Sequence, residues 1–395
     1  MSKRKTPVLR FKGFHNDWEQ RKLGDIVTFY RGLTYSPKNV HKTGTLVLRS
    51  SNVKNNVIIN ADNVYVDPKI VNSSNVKKGD LIVVVRNGSK SLLGKHAEVI
   101  RNMPNTVIGA FMTGIKTKHS NFVNALLSTE LFKSEMHKNM GSTINQITGH
   151  IFSNMTFNFP KNKEQNKTGN LFKIINKILF LQERKYEELK LLKKALMQNM
   201  FANKSLYPKL RFKGFTDKWK QEKLNSIASL LNGRAYKRNE LLNSGKYPVL
   251  RVGNFYTNDK WYFSNLELKT NKYAIKGDLL YTWSATFGPH IWTGKKVIYH
   301  YHIWKIILKN NVDKFFVYEF LKEDRDQLLR NTNGSTMIHI TKSNMENKYI
   351  SLPNKKGQKK IGNFFKKFDN LIIAQNKKYN ELKFIKKFLL QNMFI

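Results

Sequence analysis

The sequence predicts an α+β protein: two tandem mixed α/β domains, each followed by a long helix, with the two helices paired as a coiled coil. Three observations predict it. Residues 7–23 (PVLRFKGFHNDWEQRKL) return at 208–224 as PKLRFKGFTDKWKQEKL, with eleven identities in seventeen positions. Residues 185–201 return 193 positions later, at 378–394, with twelve identities in seventeen. Each copy of this second block places apolar residues at three- and four-residue steps, and each follows a stretch of short apolar runs broken by Gly, Asn and Pro. The expected boundaries are 1–160 and 202–354 for the mixed domains, and 161–201 and 355–395 for the helices.

The 395 residues are long for one core and suit two domains with connecting elements. Lys and Arg number 70 against 27 Asp and Glu, a formal charge of +43. Counter-charge must come from outside, and a polyanion such as nucleic acid is the natural partner. A bias toward Lys and Asn is visible, but such a bias does not remove carboxylates. With no Cys there is no disulfide framework, thiolate nucleophile or thiolate metal site. The basic start runs into polar residues where a signal peptide needs an apolar stretch, and residues 81–85 are too few to span a bilayer. The expectation is a cytoplasmic protein with no membrane contact.

In chain order, RFKGF at 10–14 and at 211–215, each with a Trp four residues on, reads as a lead-in segment whose Trp18 and Trp219 bury against the domain. An alternative is a phosphate clamp made by Arg10 with Lys12 and by Arg211 with Lys213. Strand-like runs at 45–49 and 247–251 end in Arg49-Ser-Ser-Asn52 and Arg251-Val-Gly-Asn254, where side chains at a strand end can face a ligand. Lys-Gly-Asp at 78–80 and 276–278 precedes an apolar run each time, so Asp80 and Asp278 are turn residues. Beyond these strands the halves diverge: Arg86-Asn-Gly-Ser-Lys90 has no likeness to Trp283-Ser-Ala-Thr-Phe-Gly288. A third shared stretch begins Gly-Ser-Thr at 141 and 334. It is either a phosphate-approaching loop, through Ser142, Thr143, Ser335 and Thr336, or a loop packed on its own domain.

The helical stripe of the first copy includes Ile178, Gln182, Tyr186, Leu189, Leu192 and Leu196; that of the second includes Gln375, Tyr379, Leu382, Ile385 and Leu389. So narrow a stripe predicts a coiled-coil seam, with the two Gln residues setting register. About 36 residues at 1.5 Å make a rod on the order of 54 Å. Gly169 and Gly362 stand near the helix starts, where either the helix begins later or two backbones come close.

Catalytic motifs are absent. The stretches 88–95 and 288–295 have one residue too many between their glycines for a phosphate loop, and neither Lys is followed by Ser or Thr. Asn158-Phe-Pro160 is not the Asn-Pro-Pro-aromatic loop that amino-methyltransferases use, and His300 with His302 lacks a third zinc ligand. The chain is expected to be no enzyme and to bind no cofactor or metal.

The order of lead-in motif, variable block, Gly-Ser-Thr loop, Pro and long helix, all repeated, resembles the specificity subunit of type I restriction-modification systems. The resemblance covers essentially the whole chain. It implies two target-recognition domains reading a bipartite double-stranded DNA site, separated by two long conserved helices that form an antiparallel coiled-coil spacer with pseudo-two-fold symmetry. It also implies two methyltransferase (modification) subunits and restriction/translocase subunits as partners, with S-adenosylmethionine, ATP and Mg on those partners. The chain departs from the family where a second Pro and a Glu-Gln pair usually follow the closing Pro: Pro160 precedes Lys161 with Glu164-Gln165, and Pro353 precedes Asn354 with only Gln358. Expected DNA contacts, from loop placement, are Arg49, Asn52, Arg86, Asn87, Ser89 and Lys90 in the first domain, and Arg251, Asn254, Tyr256, Trp283, Ser284 and Thr286 in the second. The alternative is a basic scaffold binding RNA or DNA without sequence choice, against which the divergent loops argue.

Overall fold

The computed structural model describes residues 6–139, 145–202, 206–256, 258–284, 286–309, 311–331 and 340–395. Two compact units result: Met1–Lys185 with Gln375–Ile395, and Tyr186–Ala374. Each unit takes one mixed domain and a stretch of each long helix.

In the first unit, Thr28–Arg31, Met112–Lys116, Leu81–Val84 and His96–Glu98 form an antiparallel sheet in that spatial order. A second sheet orders Thr106–Ile108, Thr45–Leu48, Val64–Val66 and Val40–His41, its first two strands parallel. Leu81–Val84 is apolar throughout because both of its faces are covered. Leu81 and Val83 enter one core cluster, Ile82 and Val84 another. Ahead of it, Gly79 adopts φ +94° and the Asp80 carboxylate accepts from the Lys77 N–H at 2.9 Å and the Tyr30 hydroxyl at 2.9 Å, a turn role.

The second unit repeats the plan. Ala228–Asn232, Ile303–Leu308, Leu279–Thr282 and Gly288–Ile291 form the antiparallel sheet. Tyr262–Ser264, Tyr247–Leu250, Val297–Tyr299 and Tyr273–Ala274 form the other, with Tyr247–Leu250 parallel to Val297–Tyr299. Each domain is closed by its own ends: Glu19–Lys22 pairs with Thr156–Phe159, and Lys220–Lys223 with Tyr349–Leu352. Trp18 and Trp219 are buried, edge-on to Phe122 at 6.0 Å and to Phe316 at 5.8 Å.

The long helices are Asn162–Met200 and Lys355–Asn392. In the first unit Gln375 donates to Gln182, and Phe172 meets Phe394 at 5.8 Å. In the second, Lys193 bonds Asp369 at 2.6 Å and Phe201 stacks on Phe365 at 5.9 Å. Within either unit, rising numbers in one strand of the pair meet falling numbers in the other, so the pairing is antiparallel. Gly169 lets the first helix cross the start of Ser120–Leu127: an added Cβ would sit 2.6 Å from the Phe122 nitrogen. Gly362 does the same at Lys314–Asn331, 2.7 Å from the Phe316 nitrogen. The helices thus include both glycines, and the backbones come close.

The stripe needs correction at three positions. Gln375 is buried, and Gln182, Tyr186, Leu189, Leu196, Tyr379, Leu382 and Leu389 are half-buried. Ile178, Leu192 and Ile385, however, are 38%, 49% and 47% exposed. Beside the last two, the inward place goes to the next residue, Lys193 and Lys386. An α-helix drifts against a 3.5-residue repeat, so over a few turns the inward face moves by one position.

Candidate nucleic-acid interface

In the first domain the carboxyl ends of Thr28–Arg31, Thr45–Leu48, Leu81–Val84 and Thr106–Ile108 deliver four loops to one place: 32–35, 49–52, 86–92 and 109–111. Arg86 is exposed, its guanidinium 5.0 Å from the ring centre of Phe111, itself 54% exposed. Ser89 and Lys90 are exposed on a short 3-10 turn, Lys90–Leu92. Asn87 ties this loop to the next: its amide donates to Ser50 Oγ at 3.3 Å while its oxygen accepts from the Ser89 N–H at 3.0 Å. Lys95 Nζ donates to the Ser50 carbonyl at 2.7 Å, and burial lowers its pKa.

Asn52 is corrected from an expected contact to a brace. It is fully buried; its oxygen accepts from the Arg49 N–H at 2.9 Å and its amide donates to the Ala61 carbonyl at 2.6 Å. Asn254 repeats the device, accepting from the Arg251 N–H at 3.0 Å and donating to the Lys260 carbonyl at 3.1 Å. An amide side chain three residues after a strand end closes the turn locally, a use that residue type alone does not reveal. Arg49 and Arg251 each donate to a carbonyl of the same loop, those of Asp62 and Lys260, and leave a buried Nε unpartnered.

The matching loops of the second domain carry different chemistry. Tyr256 is 42% exposed, its hydroxyl 3.3 Å from His290 Nε2, and Phe255 stacks on the same imidazole at 4.0 Å. Trp283 donates Nε1–H to the Tyr301 carbonyl at 3.0 Å and meets His302 edge-on at 4.8 Å. Ser284 is half-buried and Thr286 exposed. Burial lowers His290 and His300 to about 4, so both rings are neutral near pH 7 and each offers one donor and one acceptor. The first cluster therefore presents cations, amides and hydroxyls, the second aromatic rings and neutral imidazoles. Phe111, Lys95, His290 and Tyr301 escaped sequence reasoning: His290 reaches its cluster from the strand Gly288–Ile291 and the other three from loops, and no spacing links any of them to its partners.

Of the shared Gly-Ser-Thr stretches, Ser142, Thr143, Ser335 and Thr336 lie outside the described residues. The threonines that end them cap helices: Thr148 accepts from the Ile151 N–H at 3.3 Å and Thr341 from the Asn344 N–H at 3.2 Å. The lead-in arginines are scaffold. Arg10 grips the buried Glu164 with two bonds of 2.7 Å, and Trp18 Nε1 points at the same carboxylate at 3.4 Å. Gly357 stands where the second half would need that Glu, and Arg211 donates instead to the Thr216 carbonyl at 2.8 Å. Gln165 and Gln358 fix both Pro-to-helix junctions, donating to Pro160 and Pro353 carbonyls at 2.8 and 2.9 Å. Among the described residues no three His, Asp or Glu side chains gather to hold a metal, and no helix is long and apolar enough to cross a membrane.

Residues 15–191 and 216–383 each match the type I restriction modification DNA specificity domain. The chain is similar to the type I restriction enzyme MjaVIII specificity subunit of Methanocaldococcus jannaschii, 33% identical over 128 residues, which cover 32% of this chain and 30% of that one. It is also similar to the EcoKI specificity subunit of Escherichia coli K12, 24% identical over 292 residues, 67% of this chain and 61% of the relative. The matches thus span less than two thirds of these relatives' length. Among solved structures, the fold is similar to the crystal structure of a type I restriction-modification S subunit from M. genitalium, with TM-score 0.66 at 14% identity over 99% of both chains. It is also similar to a chain from a study of type I R-M complex assembly, with TM-score 0.53 at 15% identity over 94% of this chain and 96% of that one.

Proposed function

The chain belongs to the type I restriction modification DNA specificity domain family, and from that premise we propose that it is a non-catalytic subunit that reads a bipartite duplex DNA target and directs a methyltransferase and restriction complex to it. The observation that carries this reading is one scaffold used twice with two chemistries at the same loop cluster. Indiscriminate binding gives no reason for the copies to differ there. Reading two different half-sites does.

The net charge of +43 supplies the sequence-independent attraction to phosphates. Arg86 is suited to the O6 and N7 acceptors of guanine, and Lys90 and Ser89 extend the same edge. Tyr256, Thr286 and the neutral His300 suit a half-site read through acceptor–donor pairs and methyl contact. Arg49, Arg251 and Asn254 recur in both copies and so act on the loops or the phosphates, not on base identity. The two long helices act as the spacer between half-sites and, on their outer faces, as the docking surface for two methyltransferase subunits. Restriction/translocase subunits join that complex in the cytoplasm. S-adenosylmethionine, ATP and Mg belong to those partners.

The test is selection of bound duplexes by the assembled complex carrying Arg86→Ala or Tyr256→Ala. The expected result is that each change relaxes one half-site and leaves the other intact. A uniform loss of binding across all sequences would assign both residues to phosphate contact and remove the reading.

A further inference from the structure

The duplication lets one half of the chain serve as a control for the other. In the second unit, Lys193 turns inward from the first long helix and meets two carboxylates, Glu319 at 2.9 Å and Asp369 at 2.6 Å; Lys322 joins Asp369 at 3.1 Å. The cluster is closed and internally neutralised. In the first unit the equivalent lysine, 193 positions on, is Lys386. Asn176 stands where the second unit has Asp369. Ala125 stands where it has Glu319, since Gly169 lies against Phe122 as Gly362 lies against Phe316. Both carboxylates are thus missing, while the lysine has stayed.

Lys386 is half-buried, and no hydrogen bond or ion pair reaches it among the described residues. Burial and the nearby Lys133 lower its pKa to about 8. It lines a cavity of about 420 Å³ that Lys133, Lys383 and Lys387 also face. The two carboxylates at the rim are engaged elsewhere: Glu130 with Lys133 at 2.8 Å, and Glu183 with the Asn55 amide at 2.8 Å. Apolar side chains line it too, Leu179 and Phe180 on one helix and Leu390 on the other, with Phe180 43% exposed. A cationic pocket lined in part by apolar side chains, one of them an exposed ring, suits a protein surface better than a free anion or a phosphate backbone.

We propose that the Lys386 pocket of the first unit is an acceptor for a carboxylate side chain of a partner protein, the place that the second unit fills with its own Asp369 and Glu319. The proposal rests on the reading that methyltransferase subunits dock on the long helices, and it adds that the two docking sites are unequal. One partner copy inserts an acidic side chain; the other finds the matching lysine already neutralised.

The experiment is calorimetric titration of the full chain with the methyltransferase subunit of the same organism, comparing Asn176→Asp and Lys386→Met with the parent. Asn176→Asp supplies the missing internal carboxylate at nearly unchanged volume. The expected result is that it raises the Tm of the chain yet weakens one of the two binding events about tenfold or more, leaving the other unchanged. Lys386→Met weakens the same event. If both events stay unchanged, or both weaken equally, the proposal is overturned although the docking reading stands; if no methyltransferase binds even the parent chain, that reading itself fails. Loss of duplex binding with intact docking would make the anion a phosphate and also overturn the proposal.

Discussion

Replacing Gly169 by Ala tests the close crossing on which the first domain's attachment to its helix depends. Gly to Ala inside a helix ordinarily stabilises by about 1 kcal/mol, because Ala loses less backbone freedom. Here the added Cβ would lie 2.6 Å from the Phe122 nitrogen and 2.9 Å from the Asn121 carbonyl carbon, closer than the 3.0 Å that Cβ contacts respect. Both obstacles are backbone, so no side-chain rotation relieves the clash, and overpacking of this kind costs about 1–3 kcal/mol. The net expectation is a loss of about 0–2 kcal/mol after the helix-propensity gain is subtracted, against a gain of about 1 kcal/mol were there no clash. Hydrogen exchange followed by mass spectrometry reads this segment by segment: Gly169→Ala speeds exchange in Ser120–Leu127, and Gly362→Ala speeds it in Lys314–Asn331. Lys177→Ala, on the solvent side of the same helix, leaves both segments unchanged. Slower exchange in Gly169→Ala, the outcome that propensity alone predicts, would refute the close-approach argument.

Two further outcomes follow from buried charge. His96 is buried with Nδ1 2.8 Å from the Gly94 carbonyl, and burial lowers its pKa from 6.5 to about 4. The unfolded chain then binds the proton first, so stability contributed by neutral His96 is present above pH 6.5 and is lost as pH falls toward 4, by about 3 kcal/mol in all. Denaturant titrations across that range should show a shallower acid limb in His96→Gln; an unchanged limb would place the titration elsewhere. Glu164→Ala strands the Arg10 guanidinium and should destabilise the first unit by about 3 kcal/mol, whereas Arg211→Ala, which removes only bonds to carbonyls, should cost about 1 kcal/mol. Equal effects in the two urea melts would show that the ion pair contributes nothing beyond its hydrogen bonds.

Much of the architecture was legible because it was written twice. The lead-in Trp residues, the Gly-Asp turns, the helix pair and its Gln register position could all be read by laying one half on the other. What escaped reading depended on partners far along the chain. Nothing local tells that Lys193 turns inward and Leu192 outward, because the carboxylates that make this favourable, Glu319 and Asp369, lie more than a hundred residues away. Asn52 looked like a reader of bases because an amide at a strand end has the right chemistry; its carbonyl partner sits in a loop nine residues on. The aromatic and imidazole cluster of the second domain has no spacing signature at all, since Tyr256, His290 and Tyr301 are joined only by the sheet.

The first unit is assembled from the two ends of the chain. Phe394 packs against Trp18 at 6.1 Å and Phe122 at 5.3 Å, the Leu9 N–H donates to the Asn392 carbonyl at 2.8 Å, and the Asn158 amide donates to the Ile395 carbonyl at 3.1 Å. Residues 186–374, by contrast, form their core from one continuous stretch. During synthesis the order of completion is therefore the reverse of the order of translation: the domain made first lacks the Phe394 side of its core, against Phe122 and Phe172, until residues 375–395 leave the ribosome, while the domain made second can close beforehand. A frameshift near residue 375 would spare the later domain and leave the earlier one unfinished, because residues 375–395 belong to the earlier domain's core.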